Sequence, residues 1–438
     1  VENIIIKGAR ENNLKNISVE LPRRKIICFV GVSGSGKSSL AYNILYSEGQ
    51  RQFLESVNTF AARLLKRTQR PDVDSISNLS PTISIDQRRL RGNPRSTVGT
   101  ATEIYTYLRL LFSRFGSIPD LSAGHFSFNN PKGACSRCKG LGVEFVVSPE
   151  DIADFSKSLS EGAVNHNNYK PGTRHYHIIE ASKRLDMDKK LCDYTEEEIE
   201  FLFYSPRIEL SNTDSGFIQR FSHEGVITRV MSRMGDLRGM SERKEKTDKP
   251  YVHEQICSEC NGGRLNKKAL ESLVNGHNIG YYVNLEIDTF IEEISKLNIP
   301  EAKDLIERIL ETANHLITIK LHYLSLNRSL DTLSGGEAQR LKLARELGND
   351  LIEMIYILDE PTSGLHNYDR ENIIKIIKDL NQKGNTVIVI EHDGEVMKNS
   401  DYILELGPKA GKLGGNVTFS GTYDDFIKSN DEITVPYL

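Results

Sequence analysis

Apolar positions along the chain fall into two alternating patterns. Ile26 to Val30, Met354 to Leu358 and Thr386 to Ile390 are short continuous apolar runs with the length and β-branched content of strands buried on both faces. Ile4 to Ile6 opens the chain in the same strand-like way. Other segments carry helical spacing. Leu108, Leu111, Phe112 and Phe115 share a face over Ile104 to Phe115, and Ala302, Leu305, Ile306, Ile309, Leu310 and Ala313 draw a second helix. Thr289 with Glu292 has the spacing of a capping box, and Ser148-Pro149-Glu150-Asp151 that of a capped helix start. Thr195 to Phe203 reads as an acidic amphipathic helix. Strands and helices in this arrangement predict an α/β fold.

The first apolar run leads into Gly31-Val32-Ser33-Gly34-Ser35-Gly36-Lys37-Ser38-Ser39 and then a helical stretch from Leu40 to Tyr46. That is a complete P-loop pattern in the strand–loop–helix setting it requires. Its glycines let backbone N–H groups close around phosphate oxygens, Lys37 supplies a point charge near the terminal phosphates, and the Ser38 hydroxyl can ligate magnesium. The run at Met354 ends in Asp359-Glu360, two carboxylates delivered to a sheet edge, one able to hold a metal and the other to orient a water. Before it, Leu333-Ser334-Gly335-Gly336-Glu337-Ala338-Gln339-Arg340 is a turn of small residues opening a helix, whose free N–H groups attract an anion. In that helix Ala338, Leu341, Ala344 and Leu347 read as inward, and Arg340, Lys342 and Arg345 as outward.

Cysteine use points to metal. Cys135-Ser136-Arg137-Cys138 and Cys257-Ser258-Glu259-Cys260 are two Cys-x-x-Cys pairs, each with a glycine two positions after its second cysteine. Such knuckles suit tetrahedral zinc, although roughly 120 residues between the pairs exceeds ordinary zinc-ribbon spacing. Closing a loop of that length costs roughly 4 kcal/mol, against about 10 to 16 kcal/mol from a structural four-thiolate site. Four thiolates leave no position for a substrate water, so the expected site is structural. Cys28 and Cys192 read as small packed residues.

Between the knuckles the composition shifts to a polar, histidine-rich insertion, in which His166, His175, His177 and His223 fit no ligand spacing and read as solvated. Basic residues cluster twice. Arg88, Arg89, Arg91 and Arg95 follow Asp86-Gln87, and Arg229, Arg233, Arg238, Arg243, Lys244, Lys246 and Lys249 lie on a segment expected to be an exposed arm. Both sets suit DNA phosphates, and both also suit a solvated charged surface. The formal charge of −4 excludes a uniformly basic coat while leaving such patches intact. No run of the sequence resembles a signal peptide or is long and apolar enough to cross a bilayer, which predicts a cytoplasmic protein.

Together these motifs resemble an ABC-type ATPase, and the strings GARENNLKNI, FSFNNPKGACSRCKGLG, CSECNGGRLN and LSGGEAQRLKLAREL through LDEPTSGLH to NTVIVIEHD resemble the UvrA family of bacterial DNA-damage recognition proteins. The resemblance implies a P-loop NTPase of ABC type with an inserted zinc-knuckle signature region and a mixed α/β insertion domain. The boundaries are 1–86 and 346–438 for the ATP-binding core, 87–143 and 257–345 for the signature region, and 144–256 for the insertion. It makes Gln87 the Q-loop residue reaching metal and attacking water, Glu360 the group that polarises water, and His392 the switch on the terminal phosphate. ATP, Mg2+ (Ser38, Gln87, Asp359) and Zn2+ are the implied cofactors. Since the sequence holds one P-loop and one signature, the Ser334-Gly335-Gly336 turn of one copy is expected to meet nucleotide on another, giving a homodimer on double-stranded DNA. The short link Gly116 to Gly124 stands where the family's UvrB-binding domain would lie, which argues against a UvrB-type partner. A resistance paralogue acting on drug-bound DNA and a soluble transporter ATPase subunit are the alternative readings.

Overall fold

The computed structural model describes residues 3–56, 70–87, 94–212, 219–234 and 247–429. They form two compact units, one made of Val1–Ser127 with Lys268–Leu438 and the other of Phe128–Lys267.

In the first unit the predicted apolar runs become a six-stranded sheet. Its strands are β3 (Ile26–Val30), β5 (Thr82–Ile85), β6 (Ile355–Asp359), β7 (Thr386–Ile390), β8 (Tyr402–Gly407) and β9 (Asn416–Gly421). They lie in the order β9-β8-β3-β7-β6-β5, all parallel except β9. Every residue of β3 and β7 is buried, which is why these strands read as unbroken apolar runs. Register then does the positioning: Ile85 pairs with Leu358, Asp359 with Ile390, and Ile390 with Phe29. The loops after β3, β5, β6 and β7 therefore leave one edge of the sheet side by side. A second, three-stranded sheet pairs β1 (Ile4–Ala9) antiparallel with both β2 (Ile17–Leu21) and β4 (Ser75–Ser77). Its apolar residues, Ile4, Ile6, Val19 and Leu21, join one core with Leu40, Ile44, Ile357 and Ile388.

Among the described residues five longer helices belong to this unit: α1 (Ser47–Ser56), continuing the π-helical Ser39–Tyr46 that follows the P-loop, α2 (Ile104–Phe115), α3 (Lys303–Thr318), α4 (Gly335–Leu347) and α5 (Asn367–Gln382). Helix α2 has the span its spacing predicts, with Leu108, Leu111 and Phe112 fully buried. The capping box expected at Thr289 is absent. That helix spans Ile287–Ser295, Glu286 is its N-cap without a side-chain bond, and the Thr289 N–H goes to Asp288 at 2.6 Å.

The second unit contains two strand pairs, Val143–Val146 with His253–Ile256 and Ile208–Asn212 with Gln219–His223, both antiparallel. Helices Arg174–Ser182 and Val226–Met234 pack with Val147, Ile152, Leu159, Ile179, Phe203 and Val230 in its core. The predicted cap forms, Ser148 with Asp151 ahead of Pro149–Ile152, and a second capping box, Thr195 with Glu198, opens the helix Glu196–Ile199. Among the described residues no helix is long and apolar enough to cross a membrane.

Candidate functional site

The P-loop is built by close approach. Gly31 has φ +121°, and a Cβ there would sit 2.1 Å from the carbonyl oxygen of Leu406, so only glycine lets β3 turn at that point. Gly34 and Gly36 also have positive φ, and the loop is braced from outside by Asn13, whose Nδ2 donates to Gly34 O (3.0 Å) and Gly411 O (3.3 Å). Lys37 is buried, its Nζ donating to Gly31 O at 2.6 Å and Val32 O at 3.0 Å. Burial lowers its pKa, an effect opposed by the nearby carboxylates of Glu360 and Asp359. Ser35 Oγ is fully buried without a hydrogen-bond partner, a donor left over in a loop of backbone N–H groups. That orphan hydroxyl and a lysine curled back onto its own loop fit a triphosphate, whose oxygens would accept from both. Ser33 and Ser38 are exposed at the loop surface, and Ser39 Oγ accepts from Asn12 Nδ2 at 3.3 Å.

Around that edge stand the other predicted groups. Glu360 takes a left-handed backbone, φ 44°, immediately after β6, with its N–H on Ile390 O (2.9 Å). This bend sets its carboxylate 4.0 Å from His392 Nε2, both side chains about half exposed. Burial, reinforced by Lys37, holds the His392 imidazole below its ordinary pKa. Gln87 reaches the same corner, its Nε2 donating to Glu360 O at 3.4 Å. Lys37, Gln87, Asp359, Glu360 and His392 are thus brought together by four parallel strand ends.

Helix α4 starts in a capping box. Ser334 Oγ accepts the Glu337 N–H at 3.3 Å, and Glu337 Oε2 accepts the Ser334 N–H at 2.7 Å. Gly335 lies against the Q-loop, where a Cβ would stand 3.0 Å from Gln87 O, while a Cβ on Gly336 would meet only Arg340 of its own helix at 4.0 Å. Two residues of this helix connect it to the sheet edge. Gln339, buried, donates to Ile85 O (3.2 Å) and Asp359 O (2.6 Å). Lys342, expected to face outward, turns in to Asp86 Oδ1 at 2.7 Å. Sequence reasoning also missed Glu391, whose buried carboxylate accepts from Thr362 and from the His392 backbone. Its only signal was a charged residue closing an otherwise apolar strand.

In the second unit Cys135, Cys138, Cys257 and Cys260 come together, all buried, with their sulfurs within 4.8 Å of one another. Lys139 and Asn261 are left-handed, as are the glycines after them, Gly140 and Gly262, so each knuckle turns its N–H groups inward; Gly142 N donates to Cys138 Sγ at 3.3 Å. Hydrogen bonding from Cys260, then from the Gly142 and Gly140 N–H groups, pulls Cys138 down to about 5, while burial pushes Cys135 up to about 11. Four converging thiols with inward N–H donors fit a tetrahedral dication.

The remaining predicted residues are dispersed. Arg88, Arg89, Arg91, Arg238, Arg243, Lys244 and Lys246 lie outside the described residues. Arg95 sits in the turn before Thr97. Instead of an arm, Arg229 and Arg233 ride on the helix Val226–Met234, engaged by Glu224 at 3.8 Å and Asp248 at 3.4 Å. The histidines are not uniformly solvated. His166 is fully buried on Asp248 Oδ1 at 2.8 Å, and His223 is buried on Phe201 O at 2.9 Å. Cys28 is packed as expected, whereas Cys192 is exposed.

No family model matches the chain. The UvrABC system protein A of Mycoplasmopsis pulmonis is 31% identical over a 602-residue alignment covering 100% of this chain and 63% of that protein. That of Halalkalibacterium halodurans is 32% identical over 594 residues, covering 100% and 62%. The crystal structure of UvrA2 from Deinococcus radiodurans superposes with a TM-score of 0.78 at 31% identity, covering 100% of this chain and 58% of that one. The chain therefore spans less than two thirds of the length of these relatives. Along its full extent the chain is similar in sequence and fold to these UvrA proteins, and it forms an α/β unit of ABC-ATPase type carrying a four-cysteine cluster.

Proposed function

We propose that the chain binds and hydrolyses ATP with magnesium, works as two copies closing on shared nucleotide, and binds duplex DNA in a DNA-repair role. The observation that carries this reading is the gathering of Lys37, Gln87, Asp359, Glu360 and His392 at one sheet edge, with Gln87 also touching the start of the signature helix. Lys37 and the P-loop N–H groups would hold the phosphates, with the Ser35 hydroxyl as an added donor. Ser38, Gln87 and Asp359 would hold magnesium, which when bound neutralises phosphate charge during transfer. Glu360 would accept a hydrogen bond from the attacking water, and His392, kept neutral by burial, would donate to the terminal phosphate. Gly336, where a Cβ would meet only the Arg340 side chain at 4.0 Å, is suited to backbone contact with nucleotide on a second copy. The thiolate cluster would hold zinc in a structural role, because all four positions are protein ligands.

The test is Glu360→Gln in the intact chain. Turnover should fall by about 100-fold or more with ATP binding retained, and light scattering should give a doubled mass in ATP. Turnover at the parental rate would remove Glu360 from its role, and an unchanged mass would remove the paired arrangement. DNA affinity should fall steeply with added salt if phosphate contacts carry it.

A further inference from the structure

The second unit holds a cavity of about 220 Å³ lined by Arg174, His175, Ile178, Arg207, Ser222, Glu224 and Arg229. No part of it belongs to the nucleotide site or the cysteine cluster. Three guanidinium groups face one carboxylate, so the cavity carries an excess of about two positive charges. Arg229 stands 3.8 Å from Glu224, and its Nε is buried without a hydrogen-bond partner. Arg174 and Arg207 have no carboxylate partner among the described residues. His175 is stacked on Tyr169 with ring centroids 5.1 Å apart, and burial together with Arg229, Arg233 and Arg174 lowers it to about 4. It is neutral at pH 7 and offers a ring N–H without adding charge. Ser222 supplies a hydroxyl.

We infer that this cavity is a binding site for a terminal phosphate group, free or on a monoester, reached by the Arg174, Arg207 and Arg229 guanidinium groups with His175 and Ser222 as neutral donors. Charge and size select the ligand. A monoester phosphate carries about −1.5 to −2 at neutral pH, matching the excess in the cavity, whereas a backbone phosphodiester carries only one charge. At about 220 Å³ the cavity has room for a phosphate group but not for a duplex. The chemistry has two sources, a free phosphate and the 5′-phosphate at a DNA end. Arginine forks suit both, through paired N–H donors to two oxygens.

The test uses the intact chain with a saturating non-hydrolysable ATP analogue and magnesium, so that the nucleotide site, terminal-phosphate position included, does not take up the probe. Calorimetric titration with inorganic phosphate is run beside titration with one duplex bearing either a 5′-phosphate or a 5′-hydroxyl. The parent should bind phosphate, and the variant Arg174→Ala/Arg207→Ala should lose about ten-fold or more in that affinity. Both side chains are exposed, so the fold should survive, and unchanged 5′-hydroxyl duplex binding checks this. A preference for the phosphorylated end that disappears in the variant assigns a DNA terminus as the source. Phosphate binding lost in the variant without end preference supports the site and assigns free phosphate. Phosphate binding that is absent in the parent, or equal in parent and variant, overturns the inference.

Discussion

Glu391 and Thr362 are joined twice: one carboxylate oxygen accepts both the Thr362 backbone N–H at 2.9 Å and its hydroxyl at 2.5 Å. The other oxygen accepts the His392 N–H at 2.8 Å. A single buried carboxylate thus fixes the turn that follows Glu360 and the backbone of the histidine facing it. Glu391→Gln keeps the volume but exchanges an acceptor for a donor opposite an N–H, a mismatch of about 1–3 kcal/mol. Turnover at saturating ATP should fall by about ten-fold, with nucleotide affinity, set by the P-loop, nearly unchanged. Steady-state hydrolysis beside a fluorescent-nucleotide titration checks the split. An equal fall in both would mean general loss of the site's fold.

Gln339 bridges two strands, donating to the last carbonyl of β5 and the last carbonyl of β6 from within the core. Gln339→Leu preserves shape and strips both acceptors of this donor, costing about 1–3 kcal/mol. The melting temperature should drop by roughly 2–4 °C for each kcal/mol in a domain of this size. Lys342→Met, which breaks a less buried pair with Asp86, should cost less. Calorimetry that ranks the two variants in reverse order would remove the bridging role.

What could be read from the chain beforehand was whatever depends on neighbours in sequence. Strands buried on both faces show as apolar runs, and parallel pairing then carries Lys37, Asp359 and His392 to one edge without further information. The knuckle glycines were legible for the same reason, since a left-handed turn after a cysteine is local. Features set by distant partners were not. The start of the helix Ile287–Ser295 is fixed by the Ile287 N–H on His322 O and Leu324 O, so the Thr289 pattern has no say. His166 is buried because Asp248, 82 residues away, meets it, and Lys342 turns inward to an aspartate 256 residues away. No periodicity encodes such pairings.

With zinc held by the four thiolates, as proposed, its removal should act on the second unit. The two knuckles bring residues 122 apart within 3.7–3.9 Å, and four thiols crowded together repel once ionised without a cation. Chelation, or Cys138→Ser, should release close to one zinc per chain and cost several kcal/mol, up to about 10. Metal analysis with limited proteolysis measures this: cleavage within 128–267 should accelerate while the first unit stays resistant. A fully reduced, metal-free chain of parental stability would make the cluster a packing feature instead.

The buried histidines make the second unit sensitive to acid. Burial lowers His223, with its bond to Phe201 O partly opposing, and burial with three arginines lowers His175 to about 4. A base depressed in the folded state binds fewer protons than the unfolded chain. The histidines' contribution to the stability of the second unit is therefore complete above about pH 6.5 and declines as pH falls toward the folded values. The carboxylates held low in the same unit, Asp154 at about 2 and Glu198 below its usual range, contribute their loss only under about pH 4.5. Between these limits the histidines add to the decline contributed by the low-lying Cys138 thiol, which parent and histidine variants share. Urea unfolding of the intact chain should show a lower midpoint at pH 5 than at pH 7.5. His223→Gln, which keeps a donor for Phe201 O but cannot titrate, should narrow the gap, and acid loss of metal would affect parent and variant alike. An identical pH dependence in the two chains would exclude His223 as a source of the decline.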